Sequence, residues 1–213
     1  MKCPLCNSKE IKNYIKRKLK SYICKICNLV FLEKIPKEKI YRDESYYSHW
    51  FDKTNFEILK QTKILSSRYY LNLLTLKKGN LLDIGCAHGF LLEAAKLKGF
   101  NPCGVEISNA KKYAKNLGFS VKKRISEIKI KFDVITMIDL IEHIRNPNRF
   151  FKNVIKKLKK NGEILIVTPN IFSIPAIILK SKWPHYKEEH VCYYSKKSIK
   201  FLFSKYGLKL IKS

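Results

Sequence analysis

The chain has 213 residues and a formal net charge of +27, with 46% hydrophobic and 12% aromatic residues. That much apolar side chain excludes a disordered chain, and the length suits one full α/β domain with a small appendage. The start, Met1-Lys2-Cys3-Pro4, lacks the apolar run of a secretory signal. The most apolar stretch, Ile171 to Leu179, is broken by Pro175 and too short to span a bilayer, so a cytoplasmic protein is expected.

The charge has two readings. It suits nucleic acid or an anionic surface. However, most of the basic residues are Lys, scattered from Lys2 to Lys212, which favours a solvated surface. The densest runs are Lys16-Arg17-Lys18, Lys122-Lys123-Arg124, and Lys156-Lys157 with Lys159-Lys160.

Residues 1–34 form the first unit. Cys3-Pro-Leu-Cys6 and Cys24-Lys-Ile-Cys27 are separated by 17 residues, the spacing of a structural zinc ribbon. Four thiolates close a tetrahedral shell and leave no open position for catalysis. Asn7 and Asn28 each follow the second Cys of a pair, where a left-handed residue is needed and Asn serves. The segment between the pairs, with Tyr14, Ile15, Tyr22 and Ile23, reads as short strands. So small a unit buries little surface, so the metal serves folding, with acceptor or partner recognition as a second use. Cys86, Cys103 and Cys192 are scattered singly, which argues against a disulfide scaffold.

Residues 35–78 link the ribbon to the rest of the chain. They open with the aromatic cluster Tyr41, Tyr46, Tyr47, Trp50, Phe51 and Phe56, and continue as a long helix from about Asn55 to Leu74, ended by Lys78-Gly79-Asn80. A regular alternation fills residues 79–213. Leu81 to Ile84 is a strand, Phe90 to Lys98 a helix, Cys103 to Ile107 a strand and Asn109 to Leu117 a helix. Phe119 to Lys122 is a third, weak strand and Phe132 to Ile138 a fourth. Asn148 to Lys159 is a helix stopped by Asn161-Gly162, and Glu163 to Val167 is the fifth strand. An irregular stretch runs from Ile171 to His190, then a helix capped by Ser195, then a strand from Leu208 to Ile211. Strands alternating with helices predict an α/β fold with a doubly wound, mostly parallel sheet.

The first strand of this domain leads into Asp83-Ile-Gly85-Cys-Ala87-His-Gly89-Phe. Glycines let the backbone turn tightly beside a ligand, and the helix start offers free amides. Glu106 ends the next strand, where a carboxylate can accept bonds from both ribose hydroxyls. Asp139 ends the fourth strand.

Taken with Gly104-Val-Glu106, Phe132-Asp133-Val-Ile, Glu142-His143-Ile and Leu158-Lys-Lys-Asn-Gly162-Glu-Ile-Leu, this run resembles the class I S-adenosylmethionine-dependent methyltransferases. Within them it looks most like the branch with small-molecule acceptors that includes the ubiquinone-pathway O-methyltransferases, over residues 70–212. The resemblance implies a Rossmann-like methyltransferase fold that binds S-adenosylmethionine. It implies that Asp83, Gly85 and Gly89 surround the methionine part, that Glu106 holds the ribose, that the backbone around Met137 to Asp139 borders the sulfonium, and that Cys86, Phe90 and Ile107 also belong to the cofactor site. Ala87 stands where the family often has glycine, which a negative φ would tolerate.

Two further departures concern the adenine and the C-terminus. Where the family often places an acidic residue near the adenine amino group, this chain reads Val121-Lys-Lys-Arg124-Ile-Ser126-Glu127, which leaves the adenine contact unassigned. Family members also end in a two-stranded hairpin, whereas Leu208 to Ile211 reads as its first strand alone. The sheet is then one strand short, the chain truncated, or the edge covered by a second copy or another partner.

A base near the sulfonium would assist O-methylation. The candidates are His143, with Glu142 beside it, and His190 before the last helix; otherwise they orient the loop and pack beneath aromatics. The apolar insert Phe172 to Tyr186 reads as a lid over the acceptor. The expected function is methyl transfer to a small molecule, on oxygen of a metabolite, sugar or lipid-linked intermediate. An RNA methyltransferase and a non-catalytic binding module are the alternatives.

Overall fold

A computed structural model describes residues 1–16, 19–34 and 56–212. Arg17, Lys18, Asn55 and the aromatic residues from Tyr41 to Phe51 lie outside the described residues. At the N-terminus, β1 (Ile11–Ile15), β2 (Ser21–Cys24) and β3 (Val30–Leu32) form an antiparallel meander between and after the two Cys pairs. Asn7 and Asn28 take φ of 61° and 58°, and each donates its backbone N–H to the carbonyl of the first Cys of its pair, at 2.9 Å. These are the left-handed turns anticipated at both knuckles.

Ahead of the alternating part stands α1 (Phe56–Asn72). Gly79 and Asn80 do not stop this helix; they begin β4 (Gly79–Ile84), because the Asn80 N–H finds the Asp133 carboxylate at 2.8 Å. Next come α2 (Phe90–Leu97), β5 (Phe100–Val105), α3 (Lys111–Asn116), the short β6 (Val121–Lys122) and β7 (Phe132–Ile138). After them stand α4 (Pro147–Ile155) and β8 (Leu158–Val167). The sheet order is β6-β5-β4-β7-β8, with β4 parallel to both β5 and β7 and β5 parallel to β6. Strand order therefore reverses on either side of β4, the arrangement that leaves a crevice at the carboxyl end of β4.

Two expectations fail around β8. The helix expected to reach Lys159 ends early, because Lys157 donates its N–H to Val154 O and closes it. Leu158 is buried and starts the strand, while Phe132 N–H bonds Lys157 O at 2.8 Å. Asn161 and Gly162 are thus not a helix stop. Asn161, at φ 64°, bends the strand from within. The lysine run here is partly engaged by the protein: Lys157 Nζ bonds Ile128 O, and at the surface Lys159 pairs with Asp133 at 2.9 Å.

The C-terminal stretch holds α5 (Ile174–Leu179), β9 (Cys192–Tyr193) and α6 (Lys196–Lys205). The segment after Ile171 is therefore not wholly irregular: Ser173 caps α5 by accepting the Ala176 N–H, and Pro175 suits its first turn. Ser195 caps α6 in a capping box with Ser198. The strand expected from Leu208 to Ile211 is absent. Leu208 N–H turns back to Phe203 O at 2.9 Å and Gly207 N–H to Ser204 O, a Schellman ending that uses the amides a strand would need.

Two compact units result. One draws on Met1–Lys37, Asp139–Lys152 and Val167–Ser213, the other on Glu38–Ile138 and Asn153–Ile166. The first has a four-stranded sheet, β1-β2-β3-β9, and a core of Ile23, Val30 and Leu32 with Ile171, Trp183, Tyr186 and Tyr193. The second packs Leu71 and Leu74 with Leu91, Ala94, Leu81, Phe100 and Val134. Leu81 and Leu82 of β4 and Val134 and Ile135 of β7 are all buried, because both faces of the inner strands are covered. No helix among the described residues is long and apolar enough to cross a membrane.

Candidate active site

In the unit built around β4, the strand delivers Asp83 to the sheet's centre. Asp83 is paired in register with Gly104 on β5 and Thr136 on β7. Thr136 Oγ1 donates to Asp83 Oδ1 at 2.7 Å. Asp83 is 4% exposed, and this burial pushes its pKa up to about 7; the Thr136 bond opposes the shift and the Glu106 charge adds to it.

Glu106 lies two residues beyond Gly104, the register partner of Asp83. Its N–H bonds Lys122 O, which carries the pleat past the end of β5. Both carboxylates thus leave neighbouring strand tips on one face of the sheet.

The loop from Gly85 to Gly89 wraps this corner. Gly85 N–H bonds Val105 O at 2.7 Å, and Gly89, at φ 84°, turns the chain into α2. A Cβ on Gly89 would sit 2.7 Å from Ala114 Cβ, and one on Gly104 would sit 2.5 Å from Cys86 Sγ. Gly104 thus admits the buried Cys86 thiol, and burial raises that thiol's pKa. Ala87, which a negative φ would tolerate, stands instead at φ 43°. This left-handed turn costs about 1 kcal/mol. It is held by the Ala87 N–H, which donates to Glu106 Oε2 at 3.0 Å. Glu106 Oε1 accepts the Ser108 N–H at 2.7 Å. A carboxylate offers about four acceptor positions, so two backbone bonds leave room for two hydroxyls.

Phe90 and Met137 are buried, Ile107 is 47% exposed, and Asp139 lies at the surface with φ 48°. Sequence reasoning missed an aromatic wall beside the loop. His88 stacks on Phe90 at 5.7 Å, and Tyr113 and Phe56 meet both rings. Burial lowers the His88 pKa to about 4, so this ring is a neutral surface at pH 7. Its place inside the Gly loop was the available signal. Beyond β6, Glu127 turns back toward the Lys123 N–H at 3.4 Å.

In the other unit, Ile141–His143 is a single 3-10 turn, and Asp139 N–H bonds Val167 O. Glu142, His143 and His190 come together: their ligand atoms lie within 4.8 Å of one another. The two imidazole rings are 4.7 Å apart, edge to face. His143 Nδ1 lies 3.0 Å from Glu189 O and His190 Nδ1 lies 2.7 Å from His185 O. A carbonyl can only accept, so each Nδ1 carries the proton and each Nε2 is the basic nitrogen. Burial lowers both pKa values, that of His190 to about 3. Glu142 is 1% exposed and raised to about 7 by burial; its Oε2 accepts from Thr168, while Oε1 meets no donor among the described residues. One carboxylate and two neutral imidazoles can shuttle a proton, and they are also donors that a divalent transition metal accepts.

The four cysteines of the ribbon also converge. Cys3 Sγ is 3.6 Å from Cys27 Sγ, Cys6 Sγ is 3.4 Å from Cys24 Sγ, and all four lie within 4.8 Å. Tetrahedral zinc with bonds of about 2.3 Å needs sulfurs about 3.8 Å apart, so the cluster fits zinc.

The methyltransferase domain family matches residues 63–213, more than half of the chain. The chain belongs to this family. The chain is 27% identical over 155 residues to a ubiquinone biosynthesis O-methyltransferase of Rickettsia canadensis, covering 65% of this chain and 66% of the relative. It therefore spans just under two thirds of that relative's length. Among solved structures, a possible histamine N-methyltransferase of Thermotoga maritima aligns with TM-score 0.60 and 23% identity, covering 80% of each chain. The plantazolicin methyltransferase BpumL, in complex with SAH, aligns with TM-score 0.58 and 19% identity over 77% of this chain and 70% of its own. These likenesses establish the class I methyltransferase fold.

Proposed function

We propose that this methyltransferase takes a methyl group from S-adenosylmethionine and passes it to an oxygen of a small-molecule acceptor. The observation that carries the reading is the pair of carboxylates, Asp83 and Glu106, on one face at adjacent strand tips, with the Ala87 loop bonded to Glu106. Glu106 would accept the ribose hydroxyls, Asp83 and the loop from Gly85 to Phe90 would hold the methionine end, and the chain from Met137 to Asp139 would border the sulfonium. The relative named for ubiquinone biosynthesis supports an oxygen acceptor.

When bound, the cofactor supplies an electrophilic methyl already activated by its sulfonium, so in-line alignment is the protein's main task. His143 and His190 present basic nitrogens in a buried setting and would take the acceptor's proton, with Glu142 beside them. Along the chain we assign residues 1–34 to the ribbon, 35–78 to the connection and 79–213 to the catalytic domain. Cys3, Cys6, Cys24 and Cys27 would hold a structural zinc. The cytoplasm suits such a reduced thiol cluster. The experiment is methyl transfer from a labelled donor into fractionated small-molecule pools and into RNA. Label in an oxygen-bearing small molecule, lost in His190→Gln, supports the reading; label in RNA alone overturns the acceptor class.

A further inference from the structure

The ribbon does not close on itself. β3 pairs antiparallel with β9, Val30 against Tyr193 and Phe31 against Cys192, and Leu32 N–H bonds Val191 O at 3.1 Å. Val191 is the residue next to His190. Both metal knuckles are tied to the same part of the molecule. Asn148 Nδ2, on α4, donates to Pro4 O and Leu5 O at 2.8 Å each, and these are the two residues between Cys3 and Cys6. Ser195 Oγ, capping α6, donates to Asn28 O at 3.4 Å, just past Cys27. Tyr186 OH, from the stretch leading to His190, meets Leu19 O and Ser21 Oγ at 2.7 and 2.6 Å.

The ribbon's buried side chains Ile23, Val30 and Leu32 share one core with Trp183, Tyr186 and Tyr193. Residues 186 to 195 are thus anchored to the ribbon at both ends. In between, they carry His190 and the Glu189 carbonyl that bonds His143.

We propose that the zinc ribbon is a positioning element for the His143–His190 pair. The metal fixes the two knuckles, the knuckles fix β3 and the α4 and α6 ends, β3 fixes β9, and β9 sets the backbone from which both imidazoles are oriented. The ribbon then acts through the two histidines of its own unit, whereas Asp83, the Gly loop and Glu106 are hydrogen-bonded within the other unit. The proposal rests on the methyltransferase reading only for what the histidines do.

The test uses the full chain, zinc-loaded and then stripped with a chelator, with histidine ring NMR and calorimetric titration with S-adenosylhomocysteine in each state. We expect the ring-to-ring contact of His143 and His190 to be lost on stripping and restored by zinc, while S-adenosylhomocysteine affinity stays within a few-fold. Persistence of the ring contact without zinc overturns the proposal. So does simultaneous loss of ring contact and S-adenosylhomocysteine binding, which would make the ribbon a general folding element. Asn148→Ala keeps all four thiolates and guards against misfolding. It should retain zinc and lower kcat with KM for the methyl donor unchanged; an unaltered kcat counts against the proposal. Zinc-loaded protein that never binds S-adenosylhomocysteine would refute the methyltransferase reading instead and leave the ring contact as an independent readout.

Discussion

The backbone N–H of Ala87 donates to Oε2 of Glu106 at 3.0 Å, joining the loop after β4 to the tip of β5 before any ligand arrives. The loop is therefore preorganised by a side chain that is also a ligand candidate. Glu106→Gln offers one oxygen where two backbone donors, Ala87 N–H and Ser108 N–H, require two. It should cost about 1–3 kcal/mol of stability without any cofactor. Urea denaturation of the two proteins checks this, and an unchanged midpoint contradicts it.

Close approach at Gly104 gives a second prediction. Adding a methyl there places it 2.5 Å from Cys86 Sγ, inside a packed corner with Leu92. Gly104→Ala should lose about 1–3 kcal/mol, and Cys86→Ala in the same chain should recover part of it. Thermal melts of the single and double variants decide. Additive losses would mean the clash is not with the thiol.

The burial of Asp83 has a pH consequence. Its pKa is raised from 3.8 to about 7, so between those values the folded state holds more protons than the unfolded chain. Stability contributed by this group is then present at low pH and falls as pH rises from about 4 to 7. Glu142, raised to about 7, falls in the same window. His190, lowered to about 3, acts oppositely and loses stability as pH drops below 6.5; His88 and His143 do likewise. Asp83→Asn should therefore remove one carboxylate's share, making the variant relatively more stable at pH 8 than at pH 5 compared with the parent. The same change should weaken S-adenosylhomocysteine binding. Melting curves at the two pH values check the sign.

For the histidine pair, the expected signature is kinetic. His190→Gln removes a basic Nε2 and should lower kcat about 10²–10⁴-fold while leaving S-adenosylhomocysteine affinity within a few-fold. Equal losses in both would assign His190 to the cofactor side.

Much of the site is readable from residue order, because each feature is local. The strand into Asp83, the turn glycines, the strand into Glu106 and the paired C-x-x-C knuckles each depend on a few neighbouring positions. What escapes is long-range. Nothing in the spacing of Leu158 to Asn161 reveals that Asp133 would pair with Lys159 on β8. Leu208 to Ile211 alternates like a strand, yet Phe203 takes its leading amide. The pairing of β3 with β9 joins residues some 160 apart in sequence, from Val30 to Tyr193, and only a fold discloses it. Ala87 fails for another reason: its left-handed turn depends on a carboxylate 19 residues away.

The central claim is that Asp83 and Glu106 frame one adenosyl site. Its most direct test is calorimetric titration of the intact, zinc-loaded chain with S-adenosylhomocysteine, beside Glu106→Ala. The account expects saturable one-site binding that weakens about tenfold or more in the variant. Absence of binding, or equal affinity in both proteins, would contradict it.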